Sequence, residues 1–420
     1  MELSFGNIIK KGTNAILLQG LSIVITLVLN WYLAKKLGAE DYGIFTYAFS
    51  WVYLFGLLSM LGMESVIQRE VVRLSPPRIK TLISYARKNA FYVSLAITIL
   101  FSAVVYALSP QFEDGLLRPM LVAIIVLPVF TQMLVNKHVS IAFKKTEASI
   151  IPESIIRPLV TLLLLFVAWN YYATPDLETA ILSVIIALAV AYFSSVVMVR
   201  KDLTSAPKDT AEGTRHWFKL GLTFFVIVAT STINSYADIL MLGFFGQTDQ
   251  AGIYNIAVKF SSFIALPLFM LNKVIAPYIS EFFESRKEDL ALIIKKSIRI
   301  IFSLGAAGML IFIFAGKPLL GYFGEEFKSG YFALLLIGGG QMINLFVGPV
   351  GNILRMSAFE KEALISMVLS TLINIILNLV LIPLYGMNGA AIATFTSLVF
   401  WNVYQFILVK RKLNMNLSVI

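Results

Sequence analysis

The sequence predicts an all-α membrane protein with twelve transmembrane helices in two parallel-repeat six-helix bundles. Three observations predict it. Of the 420 residues, 58% are hydrophobic and 14% charged, and mean hydropathy is +0.82; soluble domains hold about 45–50% apolar and about 25% charged residues. Lysine and arginine crowd alternate loops. A phrase at 37–48, "LGAEDYGIFTYA", returns at 245–257 as "FGQTDQAGIYNIA".

A span needs about 20 mostly apolar residues. Twelve windows qualify: 13–34, 44–64, 89–109, 118–138, 151–171, 179–199, 219–243, 253–277, 297–316, 331–352, 363–383 and 389–409. Window 44–64 opens with polar and aromatic residues, and 253–277 contains two lysines. The first apolar run starts near Thr13 and is long enough to span, so it reads as a retained helix rather than a cleaved signal.

The loops set the orientation. One alternating set of loops holds 26 Lys/Arg residues and the other holds five, Lys35, Lys36, Arg118, Lys317 and Lys328. Positive loops mark the cytoplasmic side, which places both termini there in a multi-pass topology. This distribution also accounts for the net charge of +10 without nucleic acid. The opposite loops are short, so no large outer domain is expected. The longest polar link, 199–219, divides the chain into an N-terminal bundle at 1–199, a cytoplasmic linker at 200–218 and a C-terminal bundle at 219–420.

Several chemistries are excluded. There is no cysteine, hence no disulfide, thiolate metal site or cysteine nucleophile. His138 and His216 lie in separate basic stretches and read as solvated loop histidines, so no metal site is expected. No phosphate-binding G-x-x-x-x-G-K-[ST] motif occurs. The outer acidic pairs in "QFEDG" and "FGEEF" read as solvated loops, and no catalytic constellation is found. The chain therefore reads as a transporter rather than an enzyme, with a polytopic polymerase or ligase as the rival class.

The repeated phrase falls in the loops after spans one and seven. A six-span offset in the same orientation is what a parallel duplication produces. The match extends backward, because Asn30 lies eight residues before Gly38 and Asp238 eight before Gly246. Two such bundles suit a secondary transporter in which one half rocks against the other.

Charges inside spans are rare, and each is a candidate site residue. Arg157, Lys259 and Lys273 are the basic ones and Asp238 the central acid. Asp238 and Lys259 lie at similar depth on spans seven and eight, either locking the hairpin or serving function. In the functional reading Lys259 binds an anion and Asp238 couples an ion, H+ or Na+. Arg157, followed by Pro158, offers a guanidinium fork suited to a diphosphate; snorkelling to headgroups is the alternative for it and for Lys273. Glu64 and Arg69 read as an interfacial pair. Asn374 and Asn378, four apart on one helix face, either bond between helices or contact sugar hydroxyls.

Four stretches resemble one family. They are "LGAEDYGIFTYA", "GIYNIAVKF" (252–260), "PLFMLNKVIAPYIS" (267–280) and "NIILNLVLIPLYGMNGAAIAT" (374–394). Together with twelve spans and a middle linker they resemble the polysaccharide and O-antigen flippases of the multidrug/oligosaccharidyl-lipid/polysaccharide exporter superfamily. The resemblance implies a V-shaped central cavity between the bundles. It further implies that undecaprenyl-diphosphate-linked oligosaccharide, an O-antigen or other surface-polysaccharide repeat unit, moves from the cytoplasmic to the outer leaflet by alternating access. The expected setting is a bacterial or archaeal cytoplasmic membrane. The expected state is a monomer, or a loose associate of polysaccharide-assembly proteins, among membrane lipids. A cation-coupled exporter of drugs or small molecules on the same fold is the alternative. The excess of basic over acidic residues within the spans favours the anionic substrate.

Overall fold

A computed structural model describes residues 5–108, 115–172, 174–203, 214–282, 287–357 and 359–413; side chains at 5–16, 201–203, 273, 274, 276–278, 280–282, 287 and 289 are outside the description. Among the described residues all regular structure is helical. In chain order the helices are α1 (Phe5–Leu58), α2 (Met63–Glu70), α3 (Pro76–Ala107), α4 (Leu117–Ile124), α5 (Leu127–Ala142), α6 (Thr146–Ile150), α7 (Arg157–Val167) and α8 (Leu177–Leu203). They continue as α9 (Thr214–Phe244), α10 (Thr248–Phe282), α11 (Lys287–Gly321), α12 (Tyr331–Val347), α13 (Val350–Met356), α14 (Glu360–Tyr385) and α15 (Met387–Leu413). A wide π turn, Ile151–Ile156, joins α6 to α7.

Ten helices among the described residues are long and apolar enough to cross a membrane, and the bent pair α4–α5, angled by 43°, makes eleven. The chain is therefore a multi-pass membrane protein. Pro128 enters α5 in its first turn, where a missing N–H is tolerated, and the break falls just before it. The first two predicted windows fall in one continuous stretch, Leu17–Leu58, which a non-helical Gly38 divides into two helices. The element Leu17–Leu58 has 42 residues, about 63 Å of helix at about 1.5 Å per residue, twice the roughly 30 Å hydrocarbon core. Its single break is Gly38 at φ 77°, ψ 177°, after which helical geometry resumes at once. The second window, 44–64, also shifts: the helix stops at Leu58, and a turn through Gly62 leads into the short α2.

The repeated phrase has a structural counterpart. Gly246 has φ 72°, close to the 77° of Gly38. Both glycines hold a positive φ, which a Cβ disfavours. In each case a tyrosine just beyond reaches back to the polar residue eight positions before the glycine. Tyr42 Oη donates to Asn30 Oδ1 at 2.8 Å, and Tyr254 Oη to Asp238 Oδ2 at 2.6 Å.

The helices gather into two compact units, Met1–Thr232 and Ile233–Ile420, with the boundary inside α9. The central part of the predicted linker, 204–213, lies outside the described residues. In the first unit α5 packs against α3 and α8, and α7 against α8. In the second, α12 contacts α10, α11 and α15, and α14 lies along α15. The α14–α15 approach is close because Gly389 has no side chain; a Cβ there would come within 2.2 Å of the Leu381 carbonyl oxygen.

Polarity is distributed as lipid requires. Phe314, Leu384 and Ile300 are largely exposed, whereas Asn136, Asn378, Ser261 and Ser366 are buried. With hydrocarbon outside, apolar side chains gain nothing by facing inward, and polar ones must find partners within the protein.

Candidate functional site

Asp238 sits in the second unit on α9, six residues before the helix ends at Phe244, and Tyr254 lies six residues into α10. Both are therefore about 9 Å from the connecting turn. Asp238 is buried and its carboxylate is fully engaged. Oδ2 accepts from Tyr254 Oη at 2.6 Å and from Thr394 Oγ1, on α15, at 2.5 Å. Oδ1 accepts from Asn378 Nδ2 at 2.6 Å and from Asn374 Nδ2 at 3.2 Å, both on α14. Asn378 Nδ2 also donates to Asn374 Oδ1 at 3.1 Å. Four helices thus meet on one carboxylate.

The four donors are uncharged, and among the described residues no ion pair to Asp238 occurs. Asn378 Oδ1 is buried beside it with no hydrogen-bond partner among the described residues. Asn378 Oδ1 is thus an unsatisfied acceptor next to a carboxylate whose two oxygens both accept hydrogen bonds. The i,i+4 spacing predicted the shared face of Asn374 and Asn378; it is turned toward Asp238. Sequence reasoning missed Tyr254 and Thr394. Tyr254 stood in the repeated phrase, but a tyrosine in an apolar helix gives no sign of its partner.

The predicted Asp238–Lys259 hairpin pair does not form, and Asp238 is satisfied by the four neutral donors instead. Lys259 is half-buried, five residues beyond Tyr254 on α10. At about 100° per residue it is turned about 140° around the helix from Tyr254. Lys273 lies in α10, and its side chain is outside the described residues.

Arg157 occupies the first position of α7, where the π turn ends. Pro158 follows and lacks the N–H that an α-helical ladder would use. The side chain turns into the first unit rather than toward lipid. Its Nη1 donates to Tyr53 Oη of α1, its Nε donates to the Glu153 carbonyl at 3.1 Å, and the guanidinium lies 5.6 Å from the centre of the Tyr53 ring. Glu153 in turn accepts from Lys137 Nζ at 2.7 Å. Arg157, Lys137, Glu153 and Tyr53 are thus one polar cluster inside the first unit. Glu153 and Tyr53 had gone unnoticed in the sequence.

Two expectations are corrected. His138 is not a solvated loop residue: it is half-buried on α5, and its Nδ1 lies 2.8 Å from Gln68 Nε2. Arg69 pairs with its neighbour Glu70 at 3.7 Å, while Glu64 is buried and both of its carboxylate oxygens lack partners among the described residues. One helical turn separates Glu64 from Gln68, and Arg69 falls on a different side of α2. Of the outer acidic pairs, Glu325 of "FGEEF" is exposed and meets Lys328 at 2.6 Å; in "QFEDG" only Gly115 is described.

Inward-turned charged groups on spanning helices define a polytopic membrane protein with buried polar sites. Residues 8–283 match the polysaccharide biosynthesis protein family, and the chain belongs to that family. "Probable flippase AglR" of Haloferax volcanii is 27% identical over 168 residues, 39% of this chain and 35% of that one, so the match spans about a third of AglR. The "Putative O-antigen transporter" of Escherichia coli is 21% identical over 389 residues, covering 89% of this chain and 90% of its own. Among solved structures, the lipid II flippase MurJ in an inward closed conformation superposes with a TM-score of 0.77 at 16% identity, over 95% of this chain and 87% of that one. An inward-facing multidrug-resistance MATE transporter of the MOP superfamily gives 0.77 at 11% identity, over 95% and 98%. At these identities the two structures establish the fold and nothing further.

Proposed function

We propose that the protein is a flippase that moves undecaprenyl-diphosphate-linked oligosaccharide from the cytoplasmic to the outer leaflet by alternating access, coupled to H+ or Na+. Family membership and the names of its relatives support a flippase. The observation that carries the anionic substrate is the inward orientation of Arg157 on a spanning segment, fixed by Tyr53 and the Glu153 carbonyl. An arginine held inside the protein at this depth has the planar geometry that suits a phosphate. Lys259, half-buried on α10, supplies a second cation, and Lys273 is a third candidate. The coupling ion binds at Asp238, where Asn378 Oδ1 is its additional oxygen. Asn374 and Asn378 then serve the ion rather than the sugar.

Vesicles holding the purified protein and a fluorescent undecaprenyl-diphosphate oligosaccharide test this directly. The Arg157→Ala/Lys259→Ala variant is expected to insert normally and to transfer label between leaflets at least about tenfold more slowly, the size of one lost charge-assisted contact. Wild-type rates in the double variant remove the anion-binding role. Export of a cationic dye, with no lipid transfer, favours the multidrug alternative.

The proposed location is a bacterial or archaeal cytoplasmic membrane with both termini in the cytoplasm. The absence of native cysteine makes the orientation easy to read. In intact spheroplasts, Ser329→Cys is expected to react with an impermeant maleimide, and Ser75→Cys only after lysis. The reverse pattern overturns the orientation.

A further inference from the structure

We propose that a groove between α3, α5 and α8 binds the phosphate headgroup of an anionic membrane phospholipid. The groove encloses about 400 Å³ within the first unit, and Arg87, Lys88, Phe91, Tyr92, Gln132 and Tyr192 line most of it. Its lining holds two cations, three aromatic rings and no carboxylate.

Arg87 is held in place for a ligand. Its Nη2 donates to Asn136 Oδ1 at 2.7 Å, and Asn136 Nδ2 donates to Ser195 Oγ at 2.9 Å. Gln132 Nε2 donates to the Arg87 carbonyl at 2.9 Å. A guanidinium carries five N–H donors. Among the described residues only the Asn136 contact engages them. A cation anchored on one side and open on the other binds a phosphate oxygen strongly. Lys88 is exposed at the same mouth.

The depth fits a headgroup. Arg87 is the twelfth residue of α3, about 17 Å along it. The uncharged run from Asn89 to Leu108 begins directly beyond Lys88, so the two cations stand where headgroups meet hydrocarbon, on the side of the basic loops. Tyr92 and Phe91, 65% and 42% exposed, offer their rings to an acyl chain. Basic pockets between helices on the cytoplasmic side are a recurring arrangement for acidic lipid headgroups. About 400 Å³ is room enough for a phosphate with its glycerol. The inference needs only the membrane placement and stands apart from the flippase reading.

The test is native mass spectrometry of the full-length protein from micelles doped with equal phosphatidylglycerol and phosphatidylcholine. Wild type is expected to retain phosphatidylglycerol. Arg87→Gln/Lys88→Gln is expected to retain about tenfold less, whereas Arg118→Gln/Lys328→Gln, with the same charge change at other loops, keeps the wild-type level. Lys88→Gln and Tyr92→Ala alter only exposed side chains, so a folding defect in the double variant does not block the test; each is expected to weaken retention about threefold. Equal retention by wild type and all groove variants overturns the site, as does equal loss in the control or no preference between the two lipids. Displacement of phosphatidylglycerol from wild type by an equimolar polyprenyl diphosphate also overturns it and assigns the groove to the transported lipid.

Discussion

Replacing Asp238 with alanine is expected to lower stability by about 2–4 kcal/mol, whereas asparagine at the same place leaves stability nearly intact and abolishes ion coupling. Alanine removes both acceptors from a buried cage of four donors. Each buried donor left unpaired costs about 1–3 kcal/mol. Tyr254 and Thr394 escape in part, because their hydroxyls lie 3.1 Å apart and can bond each other, and Asn374 can turn to Thr394 at 3.3 Å. The amide of Asn378 has only Asn374 Oδ1 to fall back on. One or two orphaned donors set the expected loss.

Asparagine behaves differently. It keeps the volume and one acceptor, and its NH₂ can donate to the Tyr254 and Thr394 hydroxyls, which reverse roles. The charge is gone, and with it the attraction for a proton or Na+. In vesicles, the ratio of lipid transfer with and without an ion gradient is expected to fall to about one. If Asp238→Asn responds to a gradient as wild type does, Asp238 is a structural residue only. An unchanged unfolding midpoint in Asp238→Ala would contradict the four-donor cage.

The spans were legible because lipid imposes a simple composition. Window 363–383 lies within Glu360–Tyr385, and 151–171 within Thr146–Tyr172. At α1 the polar phrase "LGAEDYG" does mark the break between two helices, but the break is a single non-helical residue, Gly38, with helix on either side of it. The site was half legible. Asp238, Asn374 and Asn378 stood out as polar residues in apolar surroundings, and the four-residue spacing of the asparagines fixed their common face. Pairing Asp238 with Lys259 relied on depth alone. Depth follows from sequence position, but the direction around each helix is set by tertiary packing. Tyr254, Thr394, Tyr53 and Glu153 acquire their roles only when separate helices meet, and no local pattern announces that.

Gly62→Ala is expected to destabilise the first unit by about 2–5 kcal/mol, and by more than Gly221→Ala. Gly62 has φ +77°, where a Cβ is strained, and that Cβ would lie 2.0 Å from the Gly221 carbonyl oxygen and 2.8 Å from the Phe225 nitrogen. The left-handed conformation alone costs a non-glycine residue about 1–2 kcal/mol. Relief of the overlap requires the backbone of α9 to move, and overpacking adds about 1–3 kcal/mol. Gly221 faces the same contact from the other side. Its Cβ would meet the Leu61 carbonyl oxygen at 2.8 Å, a milder overlap, and alanine there gains up to about 1 kcal/mol of helix propensity. Thermal unfolding in detergent should therefore rank wild type first, Gly221→Ala second and Gly62→Ala last. Equal midpoints for the two variants would mean that the turn at 59–62 and α9 do not meet backbone to backbone. The same helix carries both Gly221 and Asp238, so a displaced α9 is expected to blunt the gradient response of Gly62→Ala even at temperatures where it remains folded.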